Sequence, residues 1–135
     1  IKEATGDLSR VADLRDACGE AFVLLTGDDA SALSFMEAGG QGAISVTSNV
    51  APQKMRAMCD AAFKGEFDLA FDINADLMPL HKALFLESNP IPVKYVLSEM
   101  GKIEEGIRLP LEPLSAQYRV ALRDILDTMA HGMTS

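Results

Sequence analysis

Ile1-Lys2-Glu3-Ala4-Thr5-Gly6-Asp7 ends in a turn that returns at Thr26-Gly27-Asp28 and, degraded, at Thr47-Ser48-Asn49, each time 21 residues further on. Before each copy stands a short run suited to a buried strand: Ile1 to Ala4, Phe22-Val23-Leu24-Leu25 and Ala43-Ile44-Ser45-Val46. After each copy the apolar residues change to helical spacing. Leu8, Val11, Ala12 and Leu14 mark the first helix, Ala32, Leu33 and Met36 the second, and Met55, Met58, Cys59 and Ala62 the third. Asp7, Asp28 or Asp29, and Asn49 are apt caps, because a side-chain oxygen can accept from the free N–H groups of a first helical turn. Gly19 and Gly39-Gly40 then suit helix ends. Strand, turn, cap, helix and glycine in that order make βα units, which give parallel strands joined by right-handed crossovers.

Three such units do not by themselves separate a doubly wound sheet from part of a barrel. A (β/α)8 barrel takes about 250 residues, so three units are three-eighths of one. A free-standing parallel sheet of three strands leaves raw edges and a half-covered apolar face. The chain also opens as if midway through a strand, so it reads as part of something longer.

The remainder is helical. Phe67, Ala70, Phe71, Leu77, Met78, Leu84 and Phe85 follow a 3.6-residue period over about 66–87 and are expected in a core. Asn89-Pro90-Ile91-Pro92 breaks the chain, with Pro92 in the first turn of the next helix, which carries Val93, Val96, Leu97 and Met100 and stops at Gly101. Arg108-Leu109-Pro110-Leu111-Glu112-Pro113 is extended, because a proline drives the residue before it out of the α region. Ser115 then caps a last helix with Tyr118, Leu122, Ile125, Leu126 and Met129 inward. The expected division is 1–64 for the βα units and 65–135 for an α-helical domain.

Composition narrows the function. At 135 residues with 48% apolar side chains, the chain can bury a core and is not a disordered segment. A net charge of -8 argues against non-specific nucleic-acid binding, which needs a basic patch. No apolar run approaches the roughly 20 residues that span a bilayer. Cys18 and Cys59, without a CxxC, read as reduced thiols of a cytoplasmic protein. His81 and His131 are too far apart for a zinc site, and His81 is expected to be a partly exposed helix residue. TGD lacks the spacing of a glycine-rich nucleotide loop. No metal and no cofactor are expected.

Two places could carry chemistry. Lys2 is either a surface lysine or a functional one, since lysine suits a buried parallel strand poorly unless it has a role. The repeat puts Lys2, Val23 and Ile44 at equivalent positions. In a barrel, alternate strands supply one layer, so Lys2 and Ile44 would share it. A closed apolar interior would lower the lysine's pKa and free its amine as a nucleophile. Glu3 points to the opposite face. Gly27-Asp28-Asp29 is the second place: strand ends running into helix N-termini are where α/β proteins bind ligands. An acidic pair there favours a substrate with an amine or hydroxyl over a phosphate, unless the two aspartates only cap the helix.

IKEATGD at 1–7, LLTGDD at 24–29, GAISV at 42–46, NPIPVK at 89–94 and RLP at 108–110 together resemble the dihydrodipicolinate synthase family, within the N-acetylneuraminate lyase superfamily of class I aldolases. The likeness runs in order through essentially all 135 residues. It implies the last three βα units of a (β/α)8 TIM barrel followed by a C-terminal α-helical domain. It implies that Lys2 forms a Schiff base with pyruvate, which then attacks L-aspartate 4-semialdehyde in diaminopimelate and lysine biosynthesis. Ile44 would line the pyruvate pocket, Gly27 and Asp28 would adjoin the amino aldehyde, and Asn89 would reach it too. The implied partners are these two substrates, the N-terminal half of the barrel and three further subunits in a homotetramer, in the cytoplasm. The stretch around Leu8 and Ser9 would help to join dimers. The tyrosine, threonine and arginine that complete such a site lie upstream of the matching segment, so residues 1–135 alone are expected to be inactive or nearly so. Another Schiff-base aldolase of the superfamily, resembling N-acetylneuraminate lyase, and a non-catalytic half-barrel that binds keto acids remain as alternatives.

Overall fold

The structure is a computed structural model that describes residues 1–131; the last four positions of the helical segment expected over 65–135 lie outside them. Two compact units divide the chain, Ile1–Met78 and the part from Pro79 onward.

The first unit begins with β1 (Lys2–Glu3) and α1 (Ser9–Cys18), then β2 (Leu25–Thr26) and α2 (Ala32–Glu37). A 3-10 turn at Thr47–Asn49 leads into α3 (Pro52–Phe63) and α4 (Phe67–Ala83), which continues into the second unit. β1 and β2 are parallel, with Lys2 level with Leu25 and Glu3 with Thr26. The third expected strand is reduced to one parallel bridge, Thr26 to Ala43, flanked by Thr26 N–H donating to Gly42 O at 2.9 Å and Ile44 N–H donating to Thr26 O at 2.8 Å. The 21-residue repeat therefore does not set the strand register. Paired residues lie 23 positions apart across β1 and β2 (25 − 2) and 17 across β2 and Ala43 (43 − 26). Register is decided by which backbone groups meet, and the connecting loops differ in length.

The two intact turns share one local chemistry. Asp7 N–H donates to Thr5 Oγ1 and Asp28 N–H to Thr26 Oγ1, at 3.2 and 3.1 Å. Asp7 Oδ1 then accepts from the N–H and hydroxyl of Ser9, the first residue of α1, and Asp28 Oδ2 from those of Ser31, the residue just before α2. These are side-chain-closed turns that start helices. The third copy departs. Thr47–Asn49 is itself the 3-10 turn, and α3 starts after Ala51 with Pro52 in its first turn, so Asn49 does not cap it.

One sheet face is packed by helices. Val11 of α1, Leu24 before β2 and Phe35 of α2 form a buried cluster with Leu14 against it. Phe35 was not among the expected core residues. Its ring lies where a Cβ on Gly40 would go, so that glycine leaves room for it. Leu8 and Ala12, expected on the inward stripe of α1, are exposed. Arg15 ties the end of α1 to the loops behind the sheet. Its guanidinium donates to the carbonyls of Gly19, Glu20, Phe22 and Gly39 and to Gln41 Oε1, while Gln41 Oε1 also accepts Leu24 N–H. Nothing in the periodicity pointed to this residue. Arg15→Ala strips these acceptors of a charged donor, and a loss of about 2 kcal/mol is expected. An unchanged urea midpoint would overturn that.

The second unit contains α5 (Ile91–Glu99) and α6 (Ala116–His131). Pro92 lies in the first turn of α5, and Gly101 follows it at φ +66°. Val93, Tyr95 and Val96 of α5, Leu114 and Leu122 are buried. Arg123 forks onto Glu99 at 2.6 and 3.2 Å, and Arg119 stacks over the Tyr95 ring, 5.3 Å from its centre. Burial, then the Glu99 charge, pushes the Tyr95 phenol up.

Two expectations about α4 and the turn after it need correction. His81 is buried, at 1% exposure, in the same short stretch as the buried Leu80, Ala83 and Leu84. Phe71 and Phe85, read as core, are exposed instead, while Ala70, Leu77 and Leu84 carry the buried stripe. A 3.6 period identifies a helix, but not how wide its buried stripe is.

Candidate active site

Side chains alternate across a strand and paired residues share a face. Glu3, Leu24 and Thr26 are buried against the helices. Lys2, Leu25, Gly27 and Ile44 therefore occupy the other face, which is open: Lys2 is exposed and Ile44 is 48% exposed. The enclosed amine foreseen in a closed barrel interior is thus not what this chain presents, because three short parallel segments cannot ring a cavity. By hydrogen-bond register Lys2 is level with Leu25, and Ile44 stands two residues beyond Gly42, the neighbour of Leu25.

Lys2 lies along the sheet across Gly27. A Cβ on Gly27 would collide with Lys2 Cε, and would come within 2.8 Å of Ala4 Cβ and 3.2 Å of Lys2 Cγ. The glycine is required there for close approach rather than for its backbone angles. The two aspartate-bearing turns also adjoin, since a Cβ on Gly6 would lie 3.7 Å from Asp28 Oδ2. The C-terminal ends of the strands thus bring Lys2, Gly27 and Asp28 together, with Ile44 on the same face. Asn89 is exposed in the turn between α4 and α5, in the second unit.

Behind the lysine, Glu3 is 5% exposed and accepts Thr5 N–H through both oxygens, at 3.2 Å each. Arg10 Nε donates to it at 3.0 Å. Loss of hydration opposes ionisation of Glu3, but the Thr5 hydrogen bonds and the Arg10 guanidinium outweigh it and hold the carboxyl below its ordinary value. A carboxyl with a lowered folded-state pKa contributes stability above its unfolded pKa, and that contribution is lost as pH falls through the folded value. The denaturation midpoint is therefore expected to fall as pH drops below about 4, and Glu3→Gln should flatten part of that decline. An identical pH profile for the variant would refute the assignment.

Cys18 is exposed, and Cys59 is half-buried with its thiol pushed up, chiefly by burial. Among the described residues, no group of three or more His, Cys, Asp or Glu side chains could hold a metal, and no helix is long and apolar enough to cross a membrane.

The 4-hydroxy-tetrahydrodipicolinate synthase of Alcanivorax borkumensis is 56% identical over 126 residues, 93% of this chain and 43% of the relative. That of Pseudomonas aeruginosa is 55% identical over the same shares. The chain thus spans less than half the length of the curated relatives it matches. Among solved structures, the chloride-inhibited dihydrodipicolinate synthase of Acinetobacter baumannii, complexed with pyruvate, superposes with a TM-score of 0.92 at 46% identity, over 96% of this chain and 45% of that one. The Aquifex aeolicus dihydrodipicolinate synthase gives 0.93 at 38% identity, over 96% and 44%. The model of the dihydrodipicolinate synthetase family matches residues 1–129, and with these relatives it shows that the chain belongs to that family.

Proposed function

We propose that this chain supplies the last three βα units of a (β/α)8 barrel, and the helical domain after it, in a class I aldolase. That enzyme condenses pyruvate with L-aspartate 4-semialdehyde to give 4-hydroxy-tetrahydrodipicolinate. Lys2 is its nucleophile. The uncharged amine adds to the keto carbon of pyruvate and water leaves, forming an imine. The imine withdraws electrons from the adjacent methyl group, which loses a proton to a base in the rest of the barrel and attacks the aldehyde carbon, whose oxygen takes up a proton. The amino group of the aldehyde substrate then displaces the Lys2 amine from the imine carbon, which closes the ring and frees Lys2. Gly27 and Asp28 adjoin the amino aldehyde, and Ile44 packs beside pyruvate. Assembly as a homotetramer in the cytoplasm belongs to the same reading.

The observation that carries it is Lys2 lying across Gly27 at the C-terminal ends of parallel strands, the end where such barrels build their sites. Barrel geometry supports the pairing with Ile44. With eight strands and a shear of 8, each strand slips by one residue, so two strands on, equal height falls two residues from hydrogen-bond register. Ile44 is one of the two positions that satisfy this relative to Gly42.

Because the amine is exposed in this chain, residues 1–135 alone are expected to show little or no turnover. The direct test grafts them in place of the matching 43% of the Alcanivorax borkumensis enzyme. Borohydride reduction with pyruvate should leave a stable adduct on the peptide bearing Lys2, and the graft should turn over both substrates. A folded graft without an adduct would sink the aldolase reading and favour a non-catalytic keto-acid-binding module.

A further inference from the structure

Asp28 and Asp29 are adjacent in sequence but act on different parts of the fold. Asp28 serves its own loop, accepting Ser31 N–H at 2.9 Å and the Ser31 hydroxyl at 2.6 Å. Asp29 is 1% exposed and turns inward. Its Oδ2 accepts the N–H groups of Val46 at 2.8 Å and Thr47 at 3.0 Å. Those two groups open the 3-10 turn immediately beyond Ile44 and Ser45.

The backbone link between β2 and the third strand runs through Thr26, Gly42 and Ile44. The Asp29 carboxylate extends that link past Ile44, joining the loop that follows Gly27 to the loop that follows Ile44. Hydrogen bonds to an ionised acceptor are about twice as strong as neutral ones and hold tighter geometry. Burying a carboxylate is nevertheless unfavourable without partners, and the second oxygen, Oδ1, is buried with no hydrogen-bond partner. An acidic side chain used only as a solvated cap would have no reason to take this position.

We propose that Asp29 is a positioning residue that fixes the separation between the two sides of the site, Ile44 on one and Gly27 with Asp28 on the other. The inference rests on the reading of the site given above. Asp29 touches neither Lys2 nor a substrate in this scheme; it acts through the backbone of Val46 and Thr47.

The test has two arms. In the 135-residue chain, amide hydrogen exchange is followed in the Asp29→Ala, Asp29→Asn and Asp28→Ala variants. Asp29→Ala should speed exchange at Val46 and Thr47 by about tenfold or more relative to Leu24, as local opening becomes easier. Asp29→Asn, whose amide oxygen can accept both N–H groups, should restore most of the protection, and Asp28→Ala should leave it unchanged. In the graft, Asp29→Ala should raise KM for pyruvate and lower kcat/KM by about 10- to 100-fold, with Asp29→Asn recovering most of it. A merely structural role would lower the active fraction, so kcat would fall at constant KM, and that result would overturn the proposal. So would unchanged protection at Val46 and Thr47 in Asp29→Ala. If the graft with native Asp29 fails to turn over, the aldolase reading falls, and the exchange arm alone decides whether Asp29 holds the two loops.

Discussion

A graft carrying Lys2→Arg is expected to lose the borohydride-trapped pyruvate adduct entirely and about a thousandfold or more of its turnover, the scale seen when a covalent nucleophile is removed. Arginine is the informative replacement because it keeps the positive charge and a comparable reach. It stays protonated at any pH the protein survives, and so cannot attack a carbonyl. If Lys2 only attracted the carboxylate of a keto acid, arginine would serve nearly as well. Mass analysis of the reduced, digested protein and steady-state turnover give the two readings. Retention of either a pyruvate adduct or substantial turnover in the arginine variant removes Lys2 from the role assigned to it.

Gly27→Ala in the same graft should lower kcat/KM by about a hundredfold, the scale expected when a reacting group is misplaced by about 1 Å. The added methyl would overlap the Lys2 side chain and crowd Ala4 Cβ. Lys2 is flexible and can yield, but Ala4 Cβ is fixed to the backbone of the neighbouring segment and cannot. The clash is therefore relieved by moving the lysine away from the strand end, by spreading the segments, or by both. Overpacking of this kind also destabilises by about 1–3 kcal/mol, so the rate of adduct formation per folded molecule is the decisive measurement. If that rate matches the unsubstituted graft, the close approach of Lys2 to Gly27 has no part in the chemistry.

The alternation of strand, turn and helix was legible because its causes are local. Thr5 and Thr26 close their turns on the N–H groups of Asp7 and Asp28, and those aspartates take donors from Ser9, the first residue of α1, and Ser31, the residue before α2, all within five positions of chain. Lys2, Gly27, Asp28 and Ile44 could be singled out because strand ends and turns are where such chemistry gathers. The constant offset of 21 nevertheless misled on register, and the third strand shrank to a bridge at Ala43. Arg15, Glu3, Phe35 and the anchoring by Asp29 were not visible in the pattern. Arg15 reaches Gly39 and Gln41, and Asp29 reaches Val46 and Thr47, in other loops; the Glu3 partners, Thr5 and Arg10, are near in the chain but follow no period.

By itself the sequence determined the βα order, the helix-starting turns, the proline and glycine breaks around α5, and the family whose residues it shares. These follow from steric limits and hydrogen bonds among near neighbours, which act before any long-range contact forms. Tertiary structure alone decided the register of Lys2 against Leu25, the face that stays open, the burial of Glu3, Asp29 and His81, and the exposure of Phe71 and Phe85. Each of these depends on which distant backbone and side-chain groups exclude water together, and that is a property of the packed whole.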